Sequence, residues 1–151
     1  MDAYKTINDV LVNLFNEILK LEEEAIITEE FRDITNNDMH IIEAIGLSGA
    51  NTMSAVAKKL GITAGSLTTA INSLVNKKYV LRKRSEADRR VVFIRLTKKG
   101  KKAYDHHQEY HRKMTEAVLG SLEEKEIPIL IKTLHSLSDF FRGYGDVTAH
   151  S

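Results

Sequence analysis

The chain has 151 residues, 42% of them hydrophobic, and carries 22 lysines and arginines against 21 acidic residues. That is enough apolar material for one packed domain or two small interdependent ones; no apolar run approaches the ~20 residues a membrane span needs, and "MDAYKTINDV" lacks a signal core, so a cytoplasmic protein is expected. With no cysteine, disulfides, thiolate metal sites and cysteine nucleophiles are excluded, and any metal would need histidine and carboxylate ligands.

From Tyr4 to Leu21 apolar residues recur at Ile7, Leu11, Leu14, Phe15 and Ile18, the spacing of a long amphipathic helix. An irregular acidic stretch, "EEEAIITEEFRDIT", follows, and a second helix is predicted from about Asn37 to the breaking Gly46. In "NTMSAVAKKLGITAGSLTTAINSLVNKKYV", Thr52 can cap a short helix that Gly61 ends, and Thr63 can cap the next. Leu67, Ala70, Ile71, Leu74 and Val75 form the apolar face of that second helix. Ser66, Thr68, Thr69, Asn72 and Ser73 lie away from it. A polar solvent face explains each of these singly, but a merely solvated helix would tend to use Glu and Lys; small hydroxyl and amide groups suit close approach to base edges and phosphates.

Tyr79–Lys83 and Val91–Leu96 read as two strands, the second with alternating faces, and "RSEADRR" as the tip between them. Thr97 caps a long helix to about Leu119, with Gly100 in its first turn and Ala103, His107, Tyr110, Met114 and Ala117 spaced as a seam. Ser121 and Glu124 suggest a capping box for a last helix through Ile127, Leu130, Leu134, Leu137 and Phe141. Pro128 would kink that helix or delay its start, and "GYGDVTAHS" is expected to be loose.

The charge is unevenly placed. Residues 77–102 hold twelve of the 22 cationic residues against Glu86 and Asp88, a local charge of +10, so the remainder sums to −9. A basic block within an acidic chain marks a polyanion-binding surface better than a high overall pI does. Helix, turn, helix and basic hairpin together predict a mainly α fold with a small β-hairpin wing, a winged helix-turn-helix: one helix fits the major groove and the cationic hairpin reaches the phosphates and minor groove beside it. Lys77, Lys78, Lys98 and Lys99 would add phosphate contacts or general attraction.

The stretch "MSAVAKKLGITAGSLTTAINSLVNKKYVLRKRSEADRRVVFIRLTKKG", with its Asp88-Arg89-Arg90 wing signature and the "LTKKG" opening of the next helix, resembles the MarR family of bacterial dimeric regulators. The resemblance covers essentially the whole chain. It implies an N-terminal dimerisation helix and linker (1–34), a winged DNA-binding domain (35–97) and C-terminal dimerisation helices (98–151), paired about a two-fold axis. It places Ser66, Thr68, Thr69 and Asn72 on the recognition helix, Arg90 in the minor groove at the wing tip with Arg84 and Arg89 beside it, and Asp88 holding the wing. The alternative for Asp88 and Arg90 is an ordinary surface ion pair worth at most ~1 kcal/mol.

Within that family "INDVLVNLF", "FRDITNNDMHIIEAIG", "SLTTAINSL" and "RSEADRRVV" are similar to the repressors of fatty-acid synthesis genes. That similarity implies long-chain acyl carrier protein as corepressor and no resident cofactor. Leu14, Phe15, Ile18, Met39, Ile42, Tyr104 and Met114 are then candidates for an apolar effector pocket, although each singly could be ordinary core. Arg112, Lys113 or Lys98 to Lys102 could dock the acidic carrier. The alternative is zinc: His107 and His111 stand four apart on one helix, His40 and Glu24, or Glu22 or Glu23, could approach, and the set is similar to that of zinc-sensing members of the family. Polar packing between helices would account for the same histidines. No Gly-rich phosphate loop, Ser-His-Asp arrangement or paired carboxylate motif is present, and a metal hydrolase built on His106, His107 and His111 is the weakest reading.

Overall fold

A computed structural model describes residues 2–26, 28 and 30–149, with the side chains of residues 25, 26 and 145–149 left undescribed. The elements run α1 (Ala3–Ile26), α2 (Asn36–Ile45), β1 (Asn51–Thr52), α3 (Met53–Leu60), α4 (Ala64–Asn76), β2 (Val80–Arg84), β3 (Val92–Leu96), α5 (Lys98–Gly120), a 3-10 turn (Glu124–Glu126) and α6 (Ile127–Ala149). They fall into two compact units, residues 1–110 and 111–151.

In the first unit, α2 to α5 start where a hydroxyl can accept from the otherwise orphaned third amide. Thr35 accepts from Asp38 N, Thr52 from Ala55 N, Thr63 from Ser66 N and Thr97 from Gly100 N. Gly61 ends α3 at φ 67°, ψ 33°, the left-handed conformation that costs a glycine little. Lys78 turns the chain out of α4 at φ 74° without that freedom. The core joins Ile41, Ile42 and Ile45 of α2, Val56 of α3, Leu67, Ile71 and Leu74 of α4, and Val80, Ile94 and Leu96 of the sheet. Phe31 and Ile34, from the stretch expected to be irregular, are buried with them.

The sheet has three strands in the order β1-β3-β2, all antiparallel. The sequence predicts a two-stranded hairpin; the third strand, β1, is only two residues long and pairs Asn51 with Ile94 and Thr52 with Phe93. The alternation expected in β3 is present, with Ile94 and Leu96 buried and Arg95 exposed.

Gly100 is fixed by packing: a Cβ there would stand 2.2 Å from the Tyr79 carbonyl oxygen and 3.2 Å from Leu96 Cβ. Tyr79 is fully buried, and its hydroxyl donates to Asp33 at 2.6 Å. Burial and the Asp33 carboxylate both push the phenol well above its ordinary pKa. For Asp33, desolvation raises the pKa, but the Tyr79 hydrogen bond and Lys99 outweigh it and leave the carboxyl lowered.

In the second unit the structure corrects the expected cap and the expected loose tail, and decides between the two roles considered for Pro128. The reciprocal cap before α6 lies two residues beyond Ser121 and Glu124: Glu123 N donates to Glu126 Oε2 at 2.7 Å, while the Ser121 hydroxyl turns back to Val118 O. Pro128 lies in the first turn of α6, where its missing N–H is harmless, so it sets the start of the helix and does not kink it. The expected loose tail is helical through Ala149, and His150 and Ser151 lie outside the described residues.

Candidate DNA interface

On α4 the apolar residues Leu67, Ile71 and Leu74 are buried, which leaves Ser66, Thr68, Thr69 and Asn72 exposed together. Each is already engaged. The Thr68 hydroxyl donates to Ala64 O at 2.8 Å, that of Thr69 to Gly65 O at 3.2 Å, and Ser66 Oγ accepts from the Thr63 hydroxyl at 2.9 Å. The Asn72 amide oxygen accepts from the guanidinium of Arg82 on β2. Arg82 carries no motif that marks it in the sequence; its place is set by sheet register, which follows only from strand pairing.

The wing tip is tightly organised. Ser85 N donates to Val91 O at 2.8 Å, Val91 N to Asp88 O at 2.9 Å, and Asp88 N to Ser85 Oγ at 3.2 Å. Asp88 then accepts three bonds from Arg90: backbone N and Nε on Oδ1, at 3.0 and 3.1 Å, and Nη2 on Oδ2 at 3.2 Å. These bonds hold the Asp88 carboxyl below its usual pKa. The Arg90 side chain is nevertheless 92% exposed, so its guanidinium is oriented without being withdrawn from solvent. Arg84, at the end of β2, and Arg89, in the tip, are also exposed.

Two of the lysines counted with the basic surface serve a different purpose. Lys77 Nζ lies 2.9 Å from Asp38 Oδ2, and Asp38 is buried. Lys99 Nζ sits 4.4 Å from the centroid of the Tyr79 ring, 4.0 Å from Asp33 Oδ2 and 3.4 Å from Lys77 O. Both brace the end of α4 against α2 and the start of α5. Lys78 and Lys98 remain exposed.

The effector candidates are dispersed. Met39 and Ile42 are core residues, Ile18 is half-buried, and Leu14, Phe15 and Met114 are exposed. Tyr104 lines a cleft of about 450 Å³ with Glu43, Ala44, Val56 and Lys59, and no other candidate lines it. Of the histidines, His107 is buried, with Nε2 2.8 Å from Glu43 Oε1 and 3.7 Å from Glu22 Oε1. Of the three glutamates considered, Glu22 is the one beside His107, Glu23 and Glu24 are exposed, and His40 Nδ1 faces Glu43 Oε2 at 3.9 Å.

A capped helix-turn-helix, a polar recognition face and an arginine-tipped hairpin define a winged-helix DNA-binding module. Residues 25–107 match the family model described as transcriptional regulator SarA/Rot. The DNA-bound structure of FabT from Streptococcus pneumoniae is similar at 39% identity and a TM-score of 0.82, over 93% of this chain and 99% of that one. The adhesin competence repressor AdcR from Streptococcus pyogenes is similar at 26% identity and a TM-score of 0.68, over 89% and 96%. The regulator PchR of Bacillus subtilis (strain 168) is 24% identical over 115 residues, 73% of this chain and 68% of PchR. The chain belongs to the SarA/Rot family of winged-helix, MarR-type transcriptional regulators. It is a DNA-binding regulator and not an enzyme. No helix among the described residues is long and apolar enough to cross a membrane.

Proposed function

We propose that the chain is a cytoplasmic homodimeric repressor of fatty-acid biosynthesis genes, with long-chain acyl carrier protein as corepressor. The observation that carries this reading is the 39% identity to FabT, a fatty-acid-synthesis repressor, along nearly the full length of both chains. Support for the homodimer comes from the apolar residues that one copy leaves exposed: Ile7, Val10, Leu14 and Phe15 on α1, and Ile129, Leu134, Phe140 and Phe141 on α6. A two-fold pair buries such faces against themselves. It would also place two recognition helices about one DNA turn, ~34–36 Å, apart on a pseudo-palindromic operator.

Wing and recognition helix divide the work. Arg90, aimed by Asp88, enters the minor groove; Arg84 and Arg89 meet phosphates beside it; the small face of α4 reads the major groove. A corepressor that favours the DNA-binding spacing of the two modules raises operator affinity, and by reciprocity operator DNA raises corepressor affinity.

A second reading, zinc response, is favoured by the buried His107 ring with the Glu22 carboxylate 3.7 Å away. Imidazole and carboxylate are suitable zinc ligands, and His111, one turn along α5, belongs to the donor set inferred from the sequence. Zinc there would fix α1 to α5 through its ligands.

A gel-shift titration on upstream fragments of fatty-acid synthesis genes tests both. Long-chain acyl carrier protein is expected to tighten binding, with the unacylated carrier as control. A shift unchanged by the acylated carrier but strengthened by low zinc would replace the first reading with the second.

A further inference from the structure

We infer that Arg82 and Asn72 form one composite base-reading element that selects guanine in the operator. The inference rests on operator binding and is independent of the effector.

Sheet register places Arg82. It stands opposite the fully buried Ile94, on the face of β2 that also carries the buried Val80. Arg82 continues that inward face beyond the end of the core, and its side chain crosses to α4 and meets Asn72. Both residues are exposed, on the same surface as Ser66, Thr68 and Thr69.

Hydrogen-bond accounting then sets the chemistry. A guanidinium has donors only, so the Asn72 atom facing it must be the amide oxygen. Asn72 is left with its NH₂ donors, and Arg82 with the rest of its N–H groups. With Arg82 on one of the two lone pairs of that oxygen, the pair presents mainly donors. An unengaged asparagine reads adenine in two-pronged fashion, accepting from N6 and donating to N7. Arg82 occupies one lone pair of the acceptor that this requires and sets a cation beside it, which disfavours the approach of an N6–H donor. Guanine, with adjacent acceptors N7 and O6, matches a donor-rich pair, whereas the adenine amino group opposes it. The neighbouring threonines do not compete for this role. Their hydroxyl protons are committed to Ala64 O and Gly65 O, so they offer methyl groups and lone pairs.

The test is selection from a randomised duplex library with the full-length protein, followed by affinity measurements on the enriched duplex and its single-base-pair variants. Wild-type protein is expected to enrich a motif with a G·C pair in each half-site, disfavouring the other pairs there by about 5- to 150-fold. R82A should lose that preference while retaining the other positions. R82K keeps the charge without the planar fork and should lose it too. N72A should alter the same base pair, and R82A/N72A should be no worse than R82A. Circular dichroism checks that each variant is folded, and R82K and N72A keep the test decisive if R82A is not. R82A that weakens every duplex equally, lowers the salt slope by about one and is rescued by R82K would show a phosphate contact and overturn the inference. An adenine preference lost with N72A alone would also overturn it. A wild-type protein that enriches no motif overturns sequence-specific operator binding as well, which separates that failure from failure of the pair alone.

Discussion

Gly100→Ala sets helix propensity against packing. Alanine in an α-helix is favoured over glycine by about 1 kcal/mol, so propensity alone predicts stabilisation. At this position the new Cβ would stand 2.2 Å from Tyr79 O and 3.2 Å from Leu96 Cβ. Relief of the first contact needs a shift of roughly 1 Å to reach ordinary van der Waals separation. Neither side yields easily. Tyr79 O accepts from Thr97 N at 2.9 Å, the Tyr79 ring is fully buried, and Leu96 is buried beside it. Overpacking a rigid site costs about 1–3 kcal/mol, occasionally more. A backbone oxygen as the obstacle puts Gly100→Ala at the upper end, so the net loss is about 2 kcal/mol after the gain in propensity. For a chain of this length that is roughly 4–8 °C in Tm, compared at equal protein concentration because association also shifts Tm. Thermal unfolding followed by circular dichroism measures it. A Tm equal to or above that of the wild type would refute the packing argument and show that the first turn of α5 moves freely over Tyr79.

Arg90→Ala should leave the unfolding free energy unchanged to within ~0.5 kcal/mol, since the side chain is 92% exposed; operator affinity should fall about 10- to 100-fold, and an unchanged Kd at physiological salt would remove Arg90 from the interface. Lys77→Met leaves Asp38 buried without its cation and should destabilise by about 1–3 kcal/mol in urea titrations, whereas Lys98→Met should be nearly neutral; equal effects would make Lys77 a surface lysine. Tyr79→Phe should remove a pH dependence. Because the folded-state pKa of Tyr79 is raised above the ordinary phenol value of 10.0, its contribution is complete below that value and is lost as pH rises toward the folded pKa. The wild type should therefore lose stability above about pH 10 more steeply than the Phe variant, and parallel curves would contradict the Tyr79–Asp33 bond.

What was legible in the sequence was local. Thr52, Gly61, Thr63 and Thr97 mark helix boundaries through bonds reaching three or four residues, and their side-chain types reveal them directly. The polar face of α4 and the wing tip followed from periodicity in the same way. The parts that depend on distant pairing were not legible. β1 exists only because β3, some forty residues later, supplies its partner. Lys77 looked like part of the basic surface because Asp38, its counterion, is 39 residues away. Arg82 looked like one more wing cation until register set it against Asn72. Helical continuation through Gly143 and Gly145 was masked by glycine propensity, which an already propagating helix can absorb.

Asp88 poses a final question, because a carboxylate in a surface meant for phosphates lowers the local positive charge. If attraction alone mattered, Asp88→Ala would raise the charge of the wing by one and tighten operator binding, especially at low salt. The geometry predicts the opposite. Three hydrogen bonds tie Asp88 to the backbone and guanidinium of Arg90, and without them a long exposed side chain must be ordered when DNA binds. Asp88→Ala should therefore weaken binding, by less than Arg90→Ala, while the double variant should match Arg90→Ala. The pH profile provides a second check. A lowered carboxyl pKa means the tie is fully present above the ordinary Asp range and is lost only as pH falls through the lowered folded value. Between pH 7 and 5 the wild-type to Asp88→Ala affinity ratio should accordingly stay constant. Tighter binding by Asp88→Ala at every salt concentration would show that the charge of Asp88 outweighs its hold on Arg90.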